Sequence, residues 1–118
     1  MTTAQLLARQ WQGYARYHQS RANLLMHVVL VPLFLAGNVA LVAGLVRRDW
    51  ITGAAGAACM VISIVAQGRG HNGEAVPPVP FTGPGNAVTR IFLEQWITFP
   101  RFVLSGAWRR ALASSCGA

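Results

Sequence analysis

Two long apolar runs separated by three polar residues constrain this chain more than any other feature of it. Residues 23–46 are almost wholly apolar. As a helix rising about 1.5 Å per residue, such a run crosses a hydrocarbon layer of about 30 Å. Arg47, Arg48 and Asp49 then form a tight polar turn, and residues 50–67 make a second apolar run near the lower limit for spanning. The two runs are expected to form an antiparallel transmembrane hairpin. Gly53, Ala54, Ala55, Gly56, Ala57 and Ala58 give the second run a small-residue face, which lets backbones approach where lipid supplies no hydrophobic drive between helices. That face suits the first helix or another subunit equally well, so oligomerisation stays open.

Composition supports the same class. A 118-residue chain that is 53% hydrophobic and only 11% charged is too apolar for an ordinary soluble domain, and it has room for one domain. The net charge of +7 comes from arginine alone, opposed by Asp49, Glu74 and Glu94. The arginines stand in ones and twos at the ends of apolar segments, where phospholipid headgroups would meet them, and no basic run with aromatic interleaving exists to bind nucleic acid. Cys59 and Cys116 lack the spacing of a thiolate metal site. The first twenty residues lack the apolar core of a signal peptide, so the first span is expected to remain as an anchor.

Flanking segments complete an all-α membrane fold. Residues 3–18 read as an amphipathic surface helix, with Leu7, Trp11, Tyr14 and His18 on one stripe and Arg9 and Arg16 opposite. Pro32 predicts a local kink in the first span. The Gly- and Pro-rich residues 68–85 read as a structured loop, and residues 86–110 as a C-terminal helical segment that lies in the interface or dips into the membrane. Arg9, Arg16, Arg21, Arg69, Arg90, Arg101, Arg109 and Arg110 fall on the side of both termini, against Arg47 and Arg48 in the turn, so both termini are expected in the cytoplasm. The four tryptophans read as interfacial anchors.

The hairpin also brings chemistry together. A chain that leaves one surface near His27 returns to it near His71, and His18 waits on the entering helix, so the three histidines are expected to converge. Imidazole suits iron, zinc and copper, which makes a metal site one reading of the cluster. A hydrogen-bonded histidine network that closes the hairpin is the other, in a lipid- or partner-binding protein without catalysis. Glu74, three residues after His71, is a candidate fourth ligand, orienting partner or catalytic base. Asn23 reads as a helix N-cap, and Glu94 as the partner of Arg90 four residues earlier. Arg21 and Arg69, beside the histidines, are candidates to fork onto a substrate carboxylate, with headgroup contact as their plainer role. Zinc-dependent hydrolysis would use the same histidines.

Tyr17-His18, Asn23, His27 and Pro32, then Gly70-His71 with Glu74 and the following prolines, together resemble a known family. It comprises the small membrane proteins related to the fungal endoplasmic-reticulum dioxygenase that degrades 2-hydroxy fatty acids from phytosphingosine. The similarity extends over residues 14–106, and the stretch EQWITFPRFVLSG at 94–106 looks like the close of bacterial members. The resemblance implies an Fe(II)-dependent enzyme that uses dioxygen to shorten a 2-hydroxy fatty acid by one carbon, with His18, His27 and His71 as its metal ligands, in a bacterial inner membrane. Loss of activity below about pH 6.5 is then expected, because a ligating imidazole must be neutral. In that family a basic residue and Pro-Ala commonly follow the acid after Gly-His. Here Ala75-Val76-Pro77-Pro78 follow Glu74, so a different substrate preference is expected.

Overall fold

In the computed structural model, which describes residues 1–115, the chain is all-helical and no strand occurs among the described residues. Cys116 lies outside them. Helix α1 (Thr3–Gly13) opens with a reciprocal cap: the Thr2 hydroxyl accepts from the Gln5 N–H while the Gln5 side chain accepts from the Thr2 N–H. Helices α2 (Arg21–Arg47) and α3 (Trp50–His71) are the two long apolar rods, and both have the length and hydropathy to cross a membrane. After a loop, α4 (Pro84–Leu93) runs through a π-helical turn (Glu94–Thr98) into α5 (Phe99–Leu104), and Gly106 at φ +84° turns the chain into α6 (Ala107–Ala113).

The hairpin closes tightly because glycines meet at the crossing. A Cβ on Gly37 would stand 2.7 Å from the Gly56 carbonyl oxygen, one on Gly56 would stand 2.6 Å from the Gly37 oxygen, and one on Gly44 would run into Gly53. Close packing of this kind replaces the hydrophobic drive that helices in lipid lack. Polar bonds lock the pair further, since the Ser63 hydroxyl donates to the Leu30 carbonyl at 2.5 Å. Asp49 caps α3 by accepting from the Thr52 N–H, and Arg48 takes the left-handed conformation at φ 55° to make the turn.

The outer faces of the hairpin stay apolar and exposed: Val29 is 67%, Val46 78% and Ile51 84% exposed. A soluble core helix buries such residues, and lipid is the solvent that suits them. The remaining helices form a cap over one end of the hairpin. Tyr14, Leu24, Val31, Phe99 and Phe102 make its core, with Trp11 and Trp108 packed against it. Trp108 donates to the Leu24 carbonyl and Trp96 to Asn38, while the Arg101 guanidinium lies 3.9 Å over the Trp11 ring, so these indoles are tied into the fold as well as placed near its ends. In the centre, Gln67 and Gln95 exchange two amide bonds at 2.9 and 2.8 Å, both side chains buried. That pair fastens the π turn to α3.

Two expected boundaries move. Helix α1 ends at Gly13 instead of reaching residue 18, and His18 sits in the turn that follows. Helix α3 runs on to His71 instead of ending at residue 67, through Gly68 and Gly70. Glycine costs a helix roughly 0.5–1 kcal/mol relative to alanine. At Gly70 close approach offsets that cost, since a Cβ there would collide with the Asn23 side chain of α2.

Gly56→Ala forces backbone apart at the crossing and is expected to cost about 1–3 kcal/mol. Gly68, whose Cβ would meet nothing within 4 Å, should tolerate alanine with unchanged or slightly higher stability. Thermal melting of the two variants in detergent checks this, and equal midpoints would refute the close-packing account.

Candidate metal centre

Each histidine is held by a different segment. His18 lies in the turn between α1 and α2, His27 in the second turn of α2, and His71 is the last residue of α3. The His18 Nδ1 stands 2.7 Å from the Tyr14 carbonyl oxygen, and the His27 Nδ1 stands 2.9 Å from the Asn23 carbonyl oxygen. A nitrogen at that distance from a carbonyl carries the proton, so Nε2 of each ring is left with its lone pair. Both rings are buried, at 3% and 0% exposure. Their Nε2 atoms and the buried Nδ1 of His71 have no hydrogen-bond partner among the described residues. The three ring centres are 4.7, 4.8 and 5.1 Å apart and the rings stand nearly perpendicular, at 76°, 90° and 82°. Rings in contact for packing alone have no need to aim three bare nitrogens at one another, and each bare buried acceptor costs about 1–3 kcal/mol. A cation at their common centre removes that cost.

The expected convergence of His18, His27 and His71 is therefore met, while the surrounding residues rearrange the sequence-based picture. Glu74 turns away from the imidazoles. Its carboxylate accepts from the Gln19 N–H (2.8 Å), the Ser20 N–H (2.9 Å) and the Asn23 side-chain amide (2.7 Å). This places an anion on the N-terminus of α2, where free N–H groups and the helix dipole favour it. Glu74 thus clamps the end of α3 to the start of α2 and has no oxygen in the ligand cluster. Asn23 is not the N-cap. Ser20 takes that position, its hydroxyl accepting from the Asn23 N–H, and Asn23 is buried one turn into the helix as the link between Glu74 and the His27 carbonyl bond. Tyr17 is half-buried on the wall of the adjoining cavity.

The acid that does face the histidines is Glu94. One donor atom from each of His18, His27, His71 and Glu94 can be chosen so that all lie within 4.8 Å of one another. Glu94 and Arg90 interact only at longer range, because the Arg90 guanidinium donates to the Val79 and Pro80 carbonyls and lies over the Phe81 ring. Instead its carboxylate accepts from the Tyr14 hydroxyl at 2.8 Å, and the Tyr14 ring stacks on His18 at 3.9 Å. The π turn aims it. Pro100 brings no N–H to the carbonyl four residues back, the register slips, and the Phe99 N–H bonds to the Glu94 carbonyl.

Burial sets the protonation of this group. Loss of water pushes the His18 pKa well below the ordinary imidazole value, the neighbouring histidines adding to it, so the ring is neutral near pH 7 as a ligand must be. Acid therefore reaches this residue only below the pH of 6.5 expected from an ordinary imidazole. Burial raises Glu94, against the Tyr14 hydrogen bond that lowers it, and burial followed by Glu94 raises Tyr14.

A cavity of about 700 Å³ opens on His18, His71, Tyr14 and Glu94, within the range that holds a small lipid. Leu6, Ile64, Phe81 and Ile91 line its walls. Arg21 and Arg69 are exposed and line no part of it; Arg9 and Arg90 are the arginines on its wall. Sequence reasoning missed Glu94, Tyr14 and the Gln67–Gln95 pair. Tyr14 lay four residues before His18, a helical spacing that did signal contact; Glu94 depended on a register slip that no periodicity shows.

If Glu74 is a clamp, Glu74→Ala frees two main-chain N–H groups and the Asn23 amide, and is expected to cost about 3 kcal/mol or more. Hydrogen exchange should then quicken at Gln19, Ser20 and Leu24 before the rest of the chain opens; uniform protection would contradict the clamp. No family model, curated protein or solved structure matches the chain.

Proposed function

We propose that the protein is an integral membrane Fe(II)-dependent dioxygenase that shortens 2-hydroxy fatty acids by one carbon, as the resemblance of its histidine and Gly70-His71 motifs implies. The observation that carries the metal part of this reading is the set of three imidazoles from three segments, two of them fully buried, each with one buried ring nitrogen that lacks a hydrogen-bond partner among the described residues. A structural histidine network would pair those nitrogens, and they are unpaired. His18, His27 and His71 would hold the iron. Iron(II) held there would supply a redox-active centre with open positions, at which dioxygen as the four-electron oxidant would convert the 2-hydroxy acid to the acid one carbon shorter, carbon dioxide and water.

The chain's own residues then divide the remaining work. Leu6, Ile64, Phe81 and Ile91 offer the alkyl chain an apolar wall and exclude water. The polar end of the cavity, at His18, His71, Tyr14 and Glu94, would receive the hydroxy acid head. Arg9 takes over the part considered for Arg21 and Arg69, a guanidinium on the wall that meets the substrate carboxylate. Tyr14 and Glu94 form the hydrogen-bonded pair nearest the head group, able to hold or pass a proton between phenol and carboxylate. Lipid contact on the exposed faces of α2 and α3 keeps the cavity at one membrane surface, with both termini on the cytoplasmic side by the arginine distribution.

The test is to load purified protein with iron(II) without oxygen, add a long-chain 2-hydroxy fatty acid, admit air and follow products by mass spectrometry. A fatty acid one carbon shorter is expected, requiring oxygen and absent in His71→Ala, whose iron content should also fall to background. Folded, iron-loaded protein that yields no shortened acid across chain lengths would overturn the substrate assignment. Turnover of an ester or amide without oxygen would instead favour zinc-type hydrolysis.

A further inference from the structure

The three imidazoles supply no negative charge, yet a carboxylate stands beside them with no arginine bonded to it among the described residues; Arg90 acts on it only at longer range. Glu94 keeps 20% of its side-chain surface exposed, on the cavity side. Its hydrogen bonds come from neutral donors, the Tyr14 hydroxyl at 2.8 Å and, at 3.5 Å, the Gln95 amide. Arg90, one turn earlier, commits its guanidinium to the Val79 and Pro80 carbonyls. A carboxylate largely out of water is costly unless a cation compensates it.

Distance separates a ligand from an ion-pair partner here. The Glu94 Oε2 lies 3.7 Å from the His18 Nε2, too long for a hydrogen bond. Two atoms bound to one ion at about 2.1 Å each stand roughly 3–3.4 Å apart. The pair is therefore spaced almost as two ligands of a common ion, and both belong to the group of four whose donor atoms lie within 4.8 Å. Tyr14 fixes both partners, stacking on His18 and donating to Glu94.

We infer that Glu94 is a fourth metal ligand, which makes the centre a three-histidine, one-carboxylate site for a divalent first-row transition metal. The inference rests on the three-histidine reading above and adds the residue that supplies charge. Imidazole and carboxylate together suit iron(II) and manganese(II), with zinc also accommodated. Tyr14 is a positioning residue. It holds the second lone-pair region of Glu94 Oε2, so the carboxylate reaches the centre in one orientation.

The chain makes this unusually readable, because it contains only two glutamates, Glu74 and Glu94. Cobalt(II) serves as the probe, titrated into metal-free wild type, Glu94→Gln and Glu74→Gln while the visible absorption and the stretch of ¹³C-labelled glutamate carboxylates are recorded. Gln at 94 keeps the size of the side chain and an acceptor for Tyr14, so folding should persist. The expected result is one cobalt per wild-type chain with a shifted glutamate carboxylate band. Affinity should fall at least about tenfold in Glu94→Gln, with an altered visible spectrum and no shifted band. Glu74→Gln should retain the spectrum and the shift. Cobalt bound by Glu94→Gln with wild-type affinity and spectrum would overturn the fourth ligand and leave the three-histidine centre standing. Failure of wild type to bind cobalt would overturn both. Should Glu94→Gln fail to fold, the carboxylate band of Glu74→Gln, in which Glu94 is the one remaining glutamate, decides: a shift on cobalt addition supports the assignment, and an unmoved band refutes it.

Discussion

Everything in this molecule depends on how closely α2 and α3 approach one another. Gly37 against Gly56 and Gly44 against Gly53 bring the two backbones together along the rods, and Gly70 lets Asn23 sit against the end of α3. That last contact places the residues around His27 and His71. With Asn23 seated, its amide reaches Glu74, its carbonyl accepts from the His27 ring, and His27 and His71 come to the same level with ring centres 5.1 Å apart.

The cap formed by α1 and α4–α6 then removes water from the space between the histidines. His27 packs against Phe99 and His18 under Tyr14, and the reciprocal amides of Gln67 and Gln95 anchor the π turn over α3. Buried polar groups elsewhere in this cap are satisfied: the Thr98 hydroxyl donates to Gln10, whose amide donates to the Arg90 carbonyl. Against that background the unpartnered imidazole nitrogens stand out. Besides the Asn23 side-chain oxygen, these three ring nitrogens are the buried side-chain polar atoms left without a partner among the described residues, and a cation is one group that would satisfy them.

The hairpin, its polar turn, the small-residue face and the meeting of the three histidines were legible in the sequence, because they follow from length, hydropathy and antiparallel geometry alone. What lay beyond the sequence is where tertiary contact overrides local signal. Gly68 and Gly70 look like loop residues, and only the approach of Asn23 explains why α3 continues to His71. Glu74 sits next to a histidine in the chain, which made it look chemical, but a carboxylate close to a helix N-terminus has three N–H donors on offer and takes them. Glu94, 23 residues from that histidine, reaches the cluster because Pro100 slips the helix register by one residue. Arg69 stands two positions before His71 on α3, a spacing that turns it to another face, and Arg21 opens α2 while His18 lies in the connection before it, so closeness in sequence did not bring either arginine to the cavity.

The central claim is that a single ion sits where the three imidazoles converge, and anomalous diffraction at the iron edge from crystals grown anaerobically with iron(II) addresses it most directly. The account predicts one anomalous peak per chain, within about 2.3 Å of Nε2 of His18, Nε2 of His27 and a ring nitrogen of His71. An empty centre in crystals that carry iron elsewhere, or a peak held by Glu74 and exposed side chains instead, would contradict it.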